Sequence, residues 1–210
     1  MYNTVFWDFN GTIINDMPLC IKSINKLLAD RGLPKIKEQD EYRRKFHFPV
    51  KDYYAGLGFD FSVEPYEDVA REWFDLYAAE EETVPPTDGI FEALKALDDA
   101  GAEQIILTAS QSDILVRQLK RLGIDGYFSH MIAQDNIYAA GKTESALRFL
   151  GGRKLKCALI GDTLHDYATA VSIGATPYLY SSGHGYEPEL LSTGAFVSRT
   201  LDGIIREILS

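Results

Sequence analysis

Apolar residues change their period along this chain in an ordered way, and the changes divide it into elements. Residues 2–9 form a short apolar run ending at Asp8, the pattern of a strand buried on both faces. Met17, Cys20, Ile21, Ile24, Leu27 and Leu28 then recur at helical spacing. Asn15 or Asp16 can cap that helix, Pro18 suits its first turn and Gly32 stops it. Shorter helices are expected over 38–47 and 49–57, and a longer one over 64–81 carries Val69, Trp73, Phe74 and Tyr77. Between 16 and 85 no segment has strand character, and Pro85-Pro86 closes the block as a hinge because it cannot continue a helix.

From Asp88 onward strands and helices alternate. Helix 88–100 leads to strand 103–108, helix 112–122, a short strand around 128–132, helix 142–150 and strand 156–161. Helix 164–173, strand 177–180 and a final helix near 201–209 follow. Such alternation predicts an α/β fold, a doubly wound, Rossmann-like parallel sheet formed by residues 1–15 and 86–210. The block at 16–85 is then an inserted all-helical cap domain. A length of 210 residues agrees with one main domain carrying a large insertion, at roughly 150 residues per domain.

Composition narrows the partners. Hydrophobic residues at 46% and charged residues at 25% leave room for a sizeable core and exclude disorder for most of the chain. Thirty-one acids against 21 bases give a net charge of -10, which repels nucleic-acid backbones and anionic membranes, so neither is an expected partner. A small anionic substrate would need locally placed cations. Cys20 and Cys157 sit in apolar surroundings and read as buried free thiols of a reducing compartment. With no cationic leader and no run of 18 apolar residues, the expectation is a cytoplasmic protein, monomer or homodimer.

Four spots fall just past the carboxyl ends of the expected strands, where an open parallel sheet places its chemistry. Asp8-Phe9-Asn10-Gly11-Thr12 follows the first strand, Thr108 ends the run Gln104–Leu107, Lys142 opens a helix after Gly141, and Gly161-Asp162-Thr163-Leu164-His165-Asp166 ends the run Cys157–Ile160. Each has an ordinary reading alone: a hairpin Asn-Gly, a strand-end threonine, a surface lysine, an aspartate near a helix start. Together, in this order, they resemble the haloacid dehalogenase superfamily over nearly the whole chain. The placement of the cap after the first motif is that of phosphoglycolate phosphatases.

The resemblance implies a phosphatase that uses Mg²⁺ on a small phosphate ester. Asp8 would be the nucleophile. Asp8, Asp162 and the main-chain carbonyl of Asn10 would hold the metal, with Asp166 binding through water or fixing the ligands. Lys142 and Thr108, with backbone amides near Gly11 and Ala109, would hold the phosphoryl oxygens. Asn10 departs from the family pattern. Phosphatases of this kind carry an aspartate there to protonate the leaving group and activate water, and asparagine cannot transfer a proton. That leaves two further readings: a catalytically weak phosphometabolite-binding or regulatory protein, and a phosphonatase-like C–P hydrolase using a cap lysine among Lys22, Lys26, Lys45 and Lys51.

Within the cap, Arg43, Arg44 and His47 are the candidates for reading a second anionic group on the substrate. Glu80-Glu81-Glu82 reads as solvated surface, Ser181-Ser182-Gly183-His184-Gly185 as a structural loop, and His165 as a solvent-facing residue.

Overall fold

The computed structural model describes residues 2–134, 142–153 and 156–210, so Gly141 lies outside the described residues. Strand β1 (Thr4–Trp7) is buried along its whole length, as its unbroken apolar run requires. Four helices follow it without an intervening strand: α1 (Met17–Asp30), α2 (Gln39–Lys45), α3 (Val50–Gly56) and α4 (Tyr66–Ala78). The chain then alternates through α5 (Ile90–Asp99), β2 (Glu103–Gln111), α6 (Ser112–Leu122), β3 (His130–Gln134), α7 (Lys142–Leu150), β4 (Cys157–Gly161), α8 (Leu164–Ile173), β5 (Thr176–Tyr180), α9 (Glu187–Ser192), β6 (Phe196–Ser198) and α10 (Leu201–Leu209).

The six strands form one parallel sheet in the order β3-β2-β1-β4-β5-β6. Strand order reverses around β1, which makes its carboxyl end a switch point. Register sets what emerges there: Trp7 pairs with Ile106 on one side and Ile160 on the other, so Asp8, Thr108 and Asp162 leave the sheet within a residue of the same level. Alternation along β1 sends Val5 and Trp7 into one core and Phe6 into another, one on each face. The first core continues into the helical segment through Ile24, Leu27 and Leu28. The second is closed by Ala146 of α7 and Ala170 of α8.

Isolated bridges between Asn10 and Ile14, and between Ile14 and Pro86, bring the two chain crossings at the helical segment together. Beyond them Arg117 of α6 donates to the Glu81 carboxylate and Gln118 to the Glu81 carbonyl, the latter at 2.6 Å. Glu81 is therefore buried, not solvated, because α6 neutralises it. Strand β2 also departs from expectation. It runs to Gln111, with a shift of register against β3 between Leu107 and Gln111. Elements α9 and β6, six and three residues long, are too short for periodicity to reveal. No described helix is long and apolar enough to cross a membrane, and both cysteines are buried and free.

Candidate active site

Helix α8 begins directly after Asp162, and its first turn organises half of the site. Thr163 caps it by accepting from the Asp166 amide at 3.3 Å, while Asp166 Oδ2 accepts from the Thr163 amide at 3.0 Å. The same oxygen takes the Thr163 hydroxyl at 2.7 Å and the Asp162 amide at 3.2 Å. With Oδ2 so occupied, Oδ1 of Asp166 is left to meet Lys142. That ammonium, buried at the start of α7, donates to Asp166 and also to Asp8 Oδ1 at 2.7 Å.

Asp8, Asp162 and Asp166 have carboxylate oxygens within 4.8 Å of one another. One ammonium does not balance three buried carboxylates. Burial, reinforced by the Asp166 charge, pushes the Asp8 carboxyl up to about 6 in spite of Lys142. Burial also raises Asp162 well above its ordinary value against the opposing His184, with the Asp166 and Asp8 charges adding to the rise. Asp166 is also desolvated, yet its contacts with Lys142 and Thr163 hold it below the ordinary carboxylate value. Burial disfavours the Lys142 charge, and the two acids nevertheless keep it above its ordinary value.

A second network adjoins the first. Asp16 precedes α1 but makes no side-chain capping bond; its carboxylate turns into the site. Oδ1 accepts from the Gly11 amide at 2.8 Å and faces His184 Nε2 at 3.0 Å. Oδ2 accepts from Asn10 Nδ2 at 2.8 Å, the Tyr77 hydroxyl at 3.3 Å and the Cys20 thiol at 3.4 Å. His184 also meets the Tyr42 hydroxyl through Nδ1 at 2.9 Å, and its amide donates to Asp162 Oδ2 at 2.5 Å. Burial alone would discharge this imidazole. The Asp16 charge and hydrogen bond overcome that and push its pKa up to about 9, so Asp16 and His184 form a buried ion pair. Asn10 is held at both ends, since the Ser110 hydroxyl donates to its Oδ1. Gly11 has φ +73°, and a side chain there would strike the Asp162 carboxylate and the His184 ring.

A cavity of about 230 Å³ opens onto these groups. Its floor holds Asp8, Asn10, Asp16, Thr108, Ala109, Ser110, Lys142, Asp162, Thr163, Asp166 and His184. Aromatic side chains of the helical segment form the opposite wall, among them Phe46, Phe48, Tyr53, Trp73 and Phe74.

Most residues expected at the site from sequence thus converge, with corrections. Gly11 does not line the cavity, and its amide is committed to Asp16 rather than open to a ligand. Arg43, Arg44 and His47 do not line it either. Helix α2 turns Tyr42 inward, which sets Arg43 at the rim, where it donates to the carbonyls of Gly183 at 2.8 Å and Ser182 at 3.0 Å. Arg44 and His47 are exposed. Lys22, Lys26 and Lys45 pair with Glu80, Asp30 and Glu41, and Lys51 lies over the rings of Phe61 and Tyr66; all four stand away from the cavity. His165 packs on Phe48 with ring centroids 4.7 Å apart and lines the cavity instead of facing solvent. The loop at 181–185 supplies His184 and is part of the site.

Sequence reasoning missed Asp16, His184, Tyr42, Tyr77 and Ser110. His184 had a usable signal, since it lies just past the carboxyl end of β5. Asp16 was masked by its position, which suits a helix cap equally well. Ser110 reaches Asn10 only through the irregular continuation of β2, and no local pattern announces that.

Sequence relatives align with most of this chain. A phosphoglycolate phosphatase from Caulobacter vibrioides is 25% identical over 208 residues, covering 95% of this chain and 88% of that protein. The pyrophosphatase PpaX of Halalkalibacterium halodurans is 28% identical over 168 residues, covering 78% and 76% of the two chains. Among solved structures, a haloacid dehalogenase-like hydrolase from Streptococcus pneumoniae superposes with a TM-score of 0.83 at 16% identity, over 99% of this chain and 98% of that one. The sequence profile of the haloacid dehalogenase-like hydrolases matches residues 5–178, and with the four motifs meeting at one sheet edge, this chain belongs to that family.

Proposed function

We propose that this hydrolase is a Mg²⁺-dependent phosphatase acting on a small phosphate monoester, with Asp8 as nucleophile and the segment 16–85 as a cap over the site. The observation that carries the reading is the buried contact of Lys142 with Asp8 beside Asp162 and Asp166. Three oxygen-donor side chains with excess negative charge suit a hard divalent cation. Asp8 and Asp162, with the Asn10 carbonyl, would hold it, and Asp166 would orient rather than ligate, since its oxygens are spent on Lys142, Thr163 and the Asp162 amide. Bound there, Mg²⁺ would neutralise part of the phosphoryl charge.

Lys142 would meet a phosphoryl oxygen while keeping Asp8 ionised and in place. An Asp8 carboxylate oxygen attacks phosphorus, the P–O bond to the leaving group breaks, and the departing oxygen takes up a proton. Water then attacks the aspartyl-phosphate, releasing inorganic phosphate and restoring Asp8. Asn10 can hydrogen-bond in these steps but supplies no proton, so esters with good leaving groups should be the better substrates. Helices α1–α4 would exclude bulk water while leaving room for the attacking molecule.

Asn10 also favours a second reading, a phosphometabolite-binding protein of low turnover, because its amide is locked between Asp16 and Ser110. Hydrolysis of phosphate esters at micromolar protein, with Mg²⁺ or with EDTA, tests the first reading. Mg²⁺-dependent turnover abolished in Asp8→Asn supports it; phosphate or vanadate binding without turnover supports the second. Neither binding nor turnover would overturn both.

A further inference from the structure

The cavity described above has two unlike walls, and the wall opposite the catalytic groups offers no cation. Among the described residues that line the cavity, Lys142 is engaged by Asp8 and Asp166, and His184 by Asp16. His165 lies with its ring against Phe48, centroids 4.7 Å apart. Arg43, the nearest candidate on α2, spends its guanidinium on two loop carbonyls and Asp40. What the helical segment presents instead is ring surface. Phe46, Phe48, Trp73 and Phe74 are each only half-buried in this structure while lining the cavity.

Such a wall discriminates by charge. The faces of aromatic rings carry partial negative potential and repel an anion, and a carboxylate or second phosphate desolvated there would find no unpaired cation among the described residues. The relatives named above are a phosphoglycolate phosphatase and a pyrophosphatase, whose named substrates carry a second anionic group. Among the described residues, this cavity has no unpaired cation to receive one. A flat apolar group, in contrast, gains burial and ring–ring contact. Size sets a further limit: an apolar space of roughly 150 Å³ suffices for a benzene ring, so about 230 Å³ admits a phosphoryl group with one ring rather than a larger assembly. Tyr53 adds an independent sign of a ligand. It lines the cavity, is 97% buried by its 3% exposure, and its hydroxyl has no hydrogen-bond partner among the described residues. A ring substituent with a polar atom would supply one.

We propose that the substrate is a phosphate monoester whose leaving group carries a single aromatic ring, seated among Phe46, Phe48, Trp73 and Phe74 while the phosphoryl group meets Asp8 and Lys142. This rests on the phosphatase reading. The test holds the leaving-group chemistry constant by comparing three aliphatic esters: 2-phenylethyl phosphate, ethyl phosphate and 2-phosphoglycolate. With Mg²⁺, kcat/KM should be about ten- to a hundredfold higher for the phenylethyl ester than for the ethyl ester, and lowest for phosphoglycolate. In Phe74→Ala the ratio of phenylethyl to ethyl should fall to within about threefold, a ratio insensitive to any general loss of folded protein. Phe74→Leu should retain part of the ratio.

Titration with 2-phenylethylphosphonate and ethylphosphonate separates this inference from the reading beneath it. If no ester is hydrolysed but the phenyl phosphonate binds at least about tenfold more tightly, the ring site stands and the hydrolase assignment falls. If all three esters turn over with similar kcat/KM, or phosphoglycolate is preferred, the ring site is overturned while the hydrolase assignment stands.

Discussion

The carboxyl edge of the sheet and the helical wall face each other across one cavity, yet they are built on opposite principles. At the sheet edge the charged side chains are tied to one another by directional bonds. Asp166 alone accepts from Lys142, the Thr163 amide and hydroxyl, and the Asp162 amide. The helical wall is held by ring packing, such as Trp73 on Tyr77 at 5.2 Å and Tyr42 on Phe46 at 5.2 Å, with few polar links. Directional bonds fix charged groups to the tolerance that phosphoryl chemistry needs. Ring surfaces set shape and polarity while tolerating repacking. The chemistry therefore belongs to the edge, and the choice of leaving group to the wall.

Removing Lys142 should break the edge most severely. In Lys142→Ala two buried carboxylates, Asp8 and Asp166, lose their shared cation, and breaking such a buried pair costs about 3–5 kcal/mol. Urea unfolding should register that loss, and phosphate or vanadate binding should vanish. Lys95→Ala, which removes an exposed pair with Asp99, should leave the urea midpoint essentially where it is. If Mg²⁺ occupies the acid cluster, it should return part of the Lys142→Ala loss, and a loss indifferent to Mg²⁺ would argue against that cation.

Asn10→Asp sharpens the same contrast in activity. Restoring a proton-transferring group should recover part of roughly 10²- to 10⁴-fold, most visibly on alkyl esters. The structure attaches a cost: Asn10 Nδ2 donates to Asp16 at 2.8 Å, so the new carboxyl would face a carboxylate. The two would share a proton or repel, and stability should fall by about 1–3 kcal/mol. Adding Asp16→Asn would remove that clash but strip the buried His184 of its counter-ion, so the double variant should not recover the lost stability. Rates unchanged or lower in both variants would assign the proton to another group or the site to another reaction.

Legibility from sequence follows the same division. Asp8, Lys142, Asp162 and Asp166 were readable because each is tied to a strand end or helix start, positions that periodicity locates; α6, α7, α8 and α10 begin and end where the apolar pattern places them. Asp16 and His184 are 168 residues apart, and only the return of β5 to the sheet edge pairs them. That Arg43, Arg44 and His47 do not line the cavity has a related reason. A run of basic residues shows that α2 has a charged face, but which face meets the cavity depends on how the two short helices α2 and α3 pack, and Tyr42 takes the inward position.

The Asp16–His184 pair links the edge to pH. The folded imidazole pKa of about 9 lies above its ordinary 6.5, so the protonated form contributes stability that is complete below 6.5 and is lost as pH rises through 9. The contribution is on the order of 3 kcal/mol. In EDTA, wild type should lose stability relative to His184→Gln between about pH 6 and about pH 10. Parallel pH profiles for the two proteins would mean that His184 does not hold its charge in the pair.

Arg43 is the smallest test and the one placed between the two walls. Its guanidinium sits on the helical side and donates to the carbonyls of Ser182 and Gly183, immediately before His184. Charge-assisted bonds to partly buried carbonyls are each worth about 1–2 kcal/mol. Arg43→Ala should therefore release the 181–185 loop, loosen the His184 amide from Asp162 and raise KM for every phosphate ester by a similar factor. Arg44→Ala and His47→Ala, both at exposed positions, should leave KM within about twofold. A contrary result has a definite meaning. If Arg43→Ala raises KM for phosphoglycolate alone and leaves ethyl phosphate untouched, the arginine reaches the substrate after all. The helical wall would then carry an anion-reading group, and the separation of chemistry from specificity would not hold.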